Sequence, residues 1–208
     1  MEINLSSIGM EKGKQYETII SSTDLNNVKN AAPIGIICSG KDIVLCRIFK
    51  GGKTLNNILA KKKFVINITQ NPELFQKTTI GNLSDEYFNN DNSLKDADAY
   101  AKCEVISFKE AIKQSDPIRK KGEAIIIKSK VCEIIIKNNV KAFNRGFGYV
   151  IESLSNYTRF DLVDDEKKQE YIERFREANR VVTKIGYKKD IEAMRQIKKE
   201  LIKKGYKP

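Results

Sequence analysis

Arg47 and the run Gly51-Gly52-Lys53-Thr54 are the residues whose types and spacing speak most directly of chemistry. The stretch Ile43–Phe49 alternates as a strand, which puts Arg47 on one face with Ile43, Leu45 and Phe49. A guanidinium on an apolar face needs an anionic or hydrogen-bonding partner, because burying it unpaired is prohibitive. The alternative is a strand-end arginine that snorkels to solvent or pairs with a carboxylate. Just beyond it, Gly51 and Gly52 form a flexible turn that delivers the chain into a helix with Thr54 as the expected N-cap. Backbone N–H groups, the Thr54 hydroxyl and the Lys53 ammonium converge there in a way that suits a phosphate. The same features also serve a plain hairpin turn and cap. The glycine spacing is not that of a Walker loop, so ATP chemistry is not implied.

Two asparagines add polar groups to apolar surroundings. Asn57 lies on the short helix, and Asn67 lies at the centre of Phe64–Thr69, on the side of Val65 and Thr69. A strand-centre amide destabilises unless paired. It offers both donor and acceptor, which suits the pyrimidine edge of a flavin and equally suits a neighbouring backbone.

The composition narrows the chemistry further. The chain of 208 residues has no histidine, which removes the commonest general base and every Ser-His or Cys-His nucleophile pair. Cys38, Cys46, Cys103 and Cys132 form no Cys-x-x-Cys motif and no disulfide framework, and Cys46 and Cys132 sit in apolar runs as expected core residues. No metal site is expected, so any reaction falls to carboxylates, lysines or a bound cofactor. Lys and Arg number 38 against 27 Asp and Glu, a net charge of +11. That charge suits a polyanion or a phosphorylated ligand, or else a lysine-rich solvated surface. The clusters Lys61-Lys62-Lys63 and Arg119-Lys120-Lys121 adjoin expected turns, and no aromatic-interleaved basic stripe appears, so nucleic acid is the less favoured partner. No apolar run approaches the roughly 18 residues of a membrane span. The N-terminal residues lack a signal-peptide pattern, and the expected location is cytoplasmic.

The elements that must position these residues change character along the chain. Strands are expected at Gln15–Ser22, Ala31–Ser39, Ile43–Phe49, Phe64–Thr69 and Lys102–Phe108. Ala124–Lys128 and Val131–Lys137 read as one long bent strand or a hairpin. Helices are expected at Thr54–Ala60 and from Asn71-Pro72-Glu73, and Asn82–Asp98 reads as a polar loop. From Ala142 the period is helical: Asp164 caps a long helix that Gly186 ends, and Ile191, Met194, Ile197 and Leu201 mark another. The expected class is α+β, mainly β: a barrel over 1–141 and a helical segment over 142–208 that packs, as a hairpin, on the barrel or on a second copy. No Gly-x-Gly-x-x-Gly unit is present, so a Rossmann site is not expected.

Glu17-Thr18-Ile19-Ile20, Asn30-Ala31-Ala32-Pro33-Ile34-Gly35, Thr54-Leu55-Asn56-Asn57-Ile58, Phe64-Val65-Ile66-Asn67-Ile68-Thr69 and Asn71-Pro72-Glu73-Leu74-Phe75, in this order, resemble an archaeal family of uncharacterised FMN-binding split-barrel proteins. Asn144-Arg145-Gly146, Ile151-Glu152 and Thr158-Arg159 are similar to the helical segment of the same family. More distantly, the Pro33 strand and the Thr-x-x-Asn helix start resemble split-barrel flavin reductases. The resemblance implies a split β-barrel with a C-terminal helical hairpin, a homodimer, and one FMN per subunit near the interface. It implies that Asn30, Ala31, Ala32, Pro33, Ile34 and Gly35 line the isoalloxazine. It further implies that Arg47, Lys53, Thr54 and Asn57 hold the ribityl phosphate, and that Asn67 lies near the pocket. Asn144, Arg145 and Arg159 match family positions without an implied role. An FMN-dependent oxidoreductase of flavin-reductase type is the leading expectation, with a non-catalytic FMN carrier or sensor and a basic nucleic-acid-binding barrel as alternatives.

Overall fold

Period-two patterning produces six strands that close on themselves in the computed structural model, which describes residues 3–81, 83–113 and 122–208. The strands are β1 (Gln15–Thr23), β2 (Lys29–Cys38), β3 (Ile43–Phe49), β4 (Lys63–Ile68), β5 (Ala99–Lys113) and β6 (Gly122–Ile136). They pair antiparallel in the order β1-β2-β3-β6-β5-β4, with β4 returning to β1. Closure removes the free edges that an open sheet would expose. The inward-facing side chains form the core: Tyr16 and Ile20 of β1, Ile36 of β2, Cys46 of β3, Ile66 of β4 and Ile127 of β6 are all at most 1% exposed. Ala124–Lys128 and Val131–Lys137 form one strand, β6, because β5 pairs with both parts across register shifts at Lys102/Cys103 and Val105/Ser107. Those bulges absorb the irregularity that reads as a break in the sequence. The Arg119-Lys120-Lys121 cluster and Asn82 lie outside the described residues.

Pairing is uneven around the barrel, and that creates its one opening of interest. β1 and β2 pair over the whole of Gln15↔Ile37 to Thr23↔Lys29. β2 and β3 pair only at Ile36↔Cys46, Ile37↔Leu45 and Cys38↔Val44. Beyond that point β2 stays with β1, while Arg47, Ile48 and Phe49 of β3 pair with β6. The two strands therefore diverge as a fork, and α1 (Lys53–Lys61) starts at its open end and packs on β1, β2 and β4. Lys62 ends α1 in a left-handed conformation at φ 61.

The outer wall of β1 and β2 is covered rather than solvated. Ile19 and Ala31 pack with Leu74 of α2 (Pro72–Ile80) and with Phe88, Leu94 and Ala97 of the following segment. This segment reads as a polar loop in the sequence, yet it carries its own small apolar cluster. Asn71 caps α2 by accepting from the N–H groups of Glu73 and Leu74.

From Asn144 onward the chain forms a second compact unit. It contains three helices, α3 (Gly146–Arg159), α4 (Asp165–Ile185) and α5 (Lys188–Lys203), where the expected hairpin supplies the last two. Phe160, Ile172, Val182 and Met194 lie at its centre. Asn144 donates to the Ile185 carbonyl at 2.9 Å and accepts from the Gly146 N–H at 2.8 Å. A Cβ on Gly146 would stand 2.9 Å from the Gly186 Cα, so glycine permits this close approach of α3 to the end of α4. No helix among the described residues is long and apolar enough to cross a membrane.

Candidate functional site

The fork between β2 and β3 gathers most of the residues singled out by their chemistry. Asn30 of β2 donates from Nδ2 to the Thr54 hydroxyl at 2.9 Å, tying the open end of β2 to the first turn of α1. Thr54 is not the N-cap: Gly52 occupies that place, in extended conformation, and supplies no side chain to the helix end. The correction follows from the turn. Gly51 takes φ +97, which glycine tolerates without strain, and this brings the chain into the helix two residues earlier than a Thr54 cap would. A Cβ at Gly51 or Gly52 would meet nothing within 4 Å, so the approach to the helix end is open.

The start of α1 also lacks an acidic residue, a feature it shares with α3 and not with the other three helices. α2, α4 and α5 begin with an acidic residue in the first turn, Glu73, Asp165 with Glu166, and Asp190. Those carboxylates complement the positive end of the helix dipole. α1 has no acidic residue there and has Lys53 instead. Helix dipole and ammonium thus act with the same sign, which favours an anion.

Arg47 stands at the crotch of the fork. Its guanidinium lies over the Phe49 ring, 5.2 Å from the centroid, and its Nε is buried without a hydrogen-bond partner. Among the described residues no carboxylate pairs with it. The register does not bring Arg47 to Thr54. Continuing the Ile36↔Cys46 pairing sets Arg47 level with Gly35, five residues along β2 from Asn30 and its Thr54 partner. The stretch of β2 from Asn30 to Gly35 is about 17 Å long at roughly 3.3 Å per residue.

Asn57 and Asn67 are committed elsewhere. Asn57 is buried and donates to the Ser22 hydroxyl at 3.2 Å, which fastens α1 to the end of β1. Asn67 has no exposed surface: it donates to the Ile19 carbonyl at 3.0 Å and the Ser21 hydroxyl at 2.9 Å, and accepts from the Leu94 N–H at 2.7 Å. It pins β1, β4 and the Leu94 segment together instead of facing the fork. A buried amide must satisfy its groups locally, and here the interior takes them. Ser21 and Ser22 went unremarked in the sequence because serine in a strand carries no pattern of its own.

A sizeable cavity lies on another wall. A groove of about 550 Å³ runs outside β4, β5 and β6, bordered by Lys61, Lys63, Asp91, Asn92, Lys102, Glu104 and Glu133. Its lysines are all partnered: Lys61 with Asn27, Lys63 with Glu104, and Lys102 with both Asp91 and Glu133. Partial burial alone would raise the Asp91 carboxyl, but Ser93, Lys102 and Tyr100 outweigh it and hold the group at about 2. One acceptor, Asn92 Oδ1, is buried without a partner.

The cysteines divide differently from the sequence expectation. Cys46 is buried, and desolvation pushes its thiol up to about 12. Cys132 is exposed, because β6 alternates and Val131 takes the inward position. The isoleucine run that follows conceals this alternation in the sequence. In the helical unit Asn144 is the clasp described above, Arg145 lies over the Tyr149 ring, and Arg159 donates to the Ser155 hydroxyl.

A closed antiparallel barrel whose second and third strands part to admit a helix start is a split barrel. The chain belongs to the DUF447 family: residues 16–138 match the family described as Protein of unknown function (DUF447) N-terminal domain, and residues 144–199 match Protein of unknown function (DUF447). The uncharacterized protein MJ1453 of Methanocaldococcus jannaschii is 24% identical over 172 residues, covering 81% of this chain and 88% of that protein. The crystal structure of the FMN-bound protein MM1853 from Methanosarcina mazei, of the same family, is similar with 28% identity and a TM-score of 0.53, covering 94% of this chain and 99% of that one. The structure of flavin reductase HpaC complexed with NADP+ is similar at 16% identity and a TM-score of 0.49, over 62% of this chain and 83% of that one.

Proposed function

We propose that the fork between β2 and β3 binds FMN, and that the protein is a flavin-dependent oxidoreductase of flavin-reductase type. The observation that carries this reading is the half-buried Arg47 at the fork, whose Nε has no hydrogen-bond partner and which pairs with no carboxylate among the described residues. A cation held in that state is stabilised by a ligand that brings acceptors to it. The residues fit the cofactor in two further respects. The uncapped, Lys53-bearing start of α1 suits a phosphate dianion, and the open space over Gly51 and Gly52 leaves room for it. The half of β2 from Lys29 to Gly35 has left β3, so backbone groups on that side are available to the polar edge of a flat ring. The FMN bound to MM1853, a member of the same family, supports the assignment.

In this reading Asn30, Ala31, Ala32, Pro33, Ile34 and Gly35 form the wall along the isoalloxazine. Lys53 and Thr54 hold the phosphate, with Asn30 orienting the Thr54 hydroxyl by donating to it and leaving its hydrogen free to donate onward. Asn57 keeps α1 seated by its bond to Ser22, and Asn67 keeps the neighbouring strands in place. FMN, when bound, supplies hydride and single-electron chemistry that a chain without histidine could not provide. The exposed Phe49, Ile106, Phe108 and Ile136 on the barrel are the apolar surface that a second copy would cover in a homodimer.

Purified protein titrated with FMN and with riboflavin, followed by flavin fluorescence, tests the reading. Tight binding of FMN is expected, and Thr54→Val weakens it by about 1–3 kcal/mol while affecting riboflavin much less. A colourless protein that leaves FMN fluorescence unchanged rules the reading out. Anaerobic bleaching of the bound flavin by NADH or NADPH separates an oxidoreductase from a carrier.

A further inference from the structure

We infer that Arg47 serves the ring of the flavin and not its phosphate, as the cation that favours the reduced form. The inference rests on the flavin-binding reading above and assigns one residue within it. The register carries the argument. The start of α1 is tied to Asn30 through Thr54, whereas Arg47 follows Cys46, which pairs with Ile36 at the closed end of the fork, and so falls level with Gly35 when that register is continued by one residue. The intervening stretch of β2 is about 17 Å long, and a phosphate is only a few ångströms across. An extended arginine side chain covers less than half of that length. A mononucleotide whose phosphate sits at α1 and whose ring lies along β2 therefore presents its ring to Arg47.

The chemistry then selects which edge of the ring. The Arg47 stem is fixed, with its guanidinium over Phe49 and its Nε sealed from solvent. Its remaining N–H groups need acceptors, and the ring's acceptors lie on the pyrimidine portion and the central ring, not on the dimethylbenzene portion. Reduction adds electron density to those same positions. A neighbouring positive charge without a carboxylate counter-ion lowers the energy of the reduced ring more than that of the oxidised one. The sequence places Arg47 close to Lys53 and Thr54, and this proximity along the chain hides a separation that the strand direction imposes.

The test compares wild type, Arg47→Leu, Arg47→Lys and Thr54→Val as full-length proteins. Three quantities are read: affinity for oxidised FMN, affinity for riboflavin, and the midpoint potential of bound FMN in a dye-coupled titration. Arg47→Leu is expected to weaken FMN and riboflavin by the same factor. It is also expected to lower the preference for reduced over oxidised flavin about tenfold, which for a two-electron couple is about 30 mV. Arg47→Lys retains the charge and recovers most of the potential. Thr54→Val weakens FMN alone and leaves the potential in place. Loss of FMN with riboflavin spared in Arg47→Leu, or a potential that does not move, overturns the inference. Wild-type protein that binds neither flavin defeats the underlying reading instead, and that outcome is distinct. Should Arg47→Leu fail to fold, Arg47→Gln gives the same comparison.

Discussion

The fork and the groove both carry charged side chains, yet they differ in what those side chains still lack. In the groove over β4, β5 and β6, Lys61, Lys63 and Lys102 each have a partner, and Asp91 is held ionised by three neighbours. In the fork the Arg47 Nε has no hydrogen-bond partner among the described residues, and α1 begins with no side-chain cap and no carboxylate. The groove holds about 550 Å³, but its lysines are all partnered, and Asn92 Oδ1 is the acceptor there left without one. A buried polar group without a partner calls for an explanation, and a bound ligand supplies one. Groove residues should accordingly answer to stability, and fork residues to ligand.

The largest effect expected from this division is at Asn67, which anchors the segment bordering the groove. Asn67→Ala leaves the Leu94 N–H and the Ile19 carbonyl without that partner and should destabilise the protein by about 3 kcal/mol in urea denaturation. Flavin affinity should stay where it was while the protein remains folded; a change in affinity at unchanged stability would erase the distinction. A smaller effect is expected at Asp91. Its folded carboxyl sits at about 2, against about 3.9 in an unfolded chain, so its contribution is complete above the unfolded value and vanishes as pH falls through the folded one. After allowance for its exposure, Asp91→Asn should cost about 1 kcal/mol at neutral pH. The gap to wild type should close between about pH 4 and pH 2, and a gap independent of pH would assign the loss to something other than the charge. The smallest effect, and the most telling, concerns Arg47. Replacing a cation that lacks a carboxylate partner should leave the flavin-free protein as stable as before, or more stable by up to about 1 kcal/mol, in Arg47→Leu. Thermal melts of apoprotein check this, and marked destabilisation would make Arg47 structural.

How far the sequence discloses the molecule depends on whether a signal is local. β3 spans Ile43–Phe49 as the alternation predicts, and α2 begins at Asn71-Pro72 because cap and first-turn residues adjoin in the chain. Asp164 and Gly186 delimit α4 for the same reason. The failures are long-range. Asn67 is 27 residues from Leu94 and 46 from Ser21, so no spacing rule shows that its amide is occupied. Cys132 reads as interior because its neighbours are apolar, and only the strand register turns it outward. The Asn89–Ala97 stretch reads as a solvated loop because asparagine dominates it, while Leu94 and Ala97 fold under it against β1 and β2. The candidate site is intermediate. Its residues are recognisable in the chain, but their order along the fork becomes visible only when β2 and β3 are seen to run in opposite directions and to part after Ile36↔Cys46.

The gap between β2 and β3 is open to an invading β-segment, and Pro33 sits in the half of β2 beside it. Proline has no amide hydrogen and is tolerated in a strand where its nitrogen faces an unpaired edge. An incoming polypeptide would find an interrupted ladder there, so strand exchange or fibril growth through the gap is discouraged. A planar heterocycle needs only a few contacts and is not hindered by the missing donor. Pro33 at this gap therefore disfavours growth of a strand ladder through the barrel's open seam.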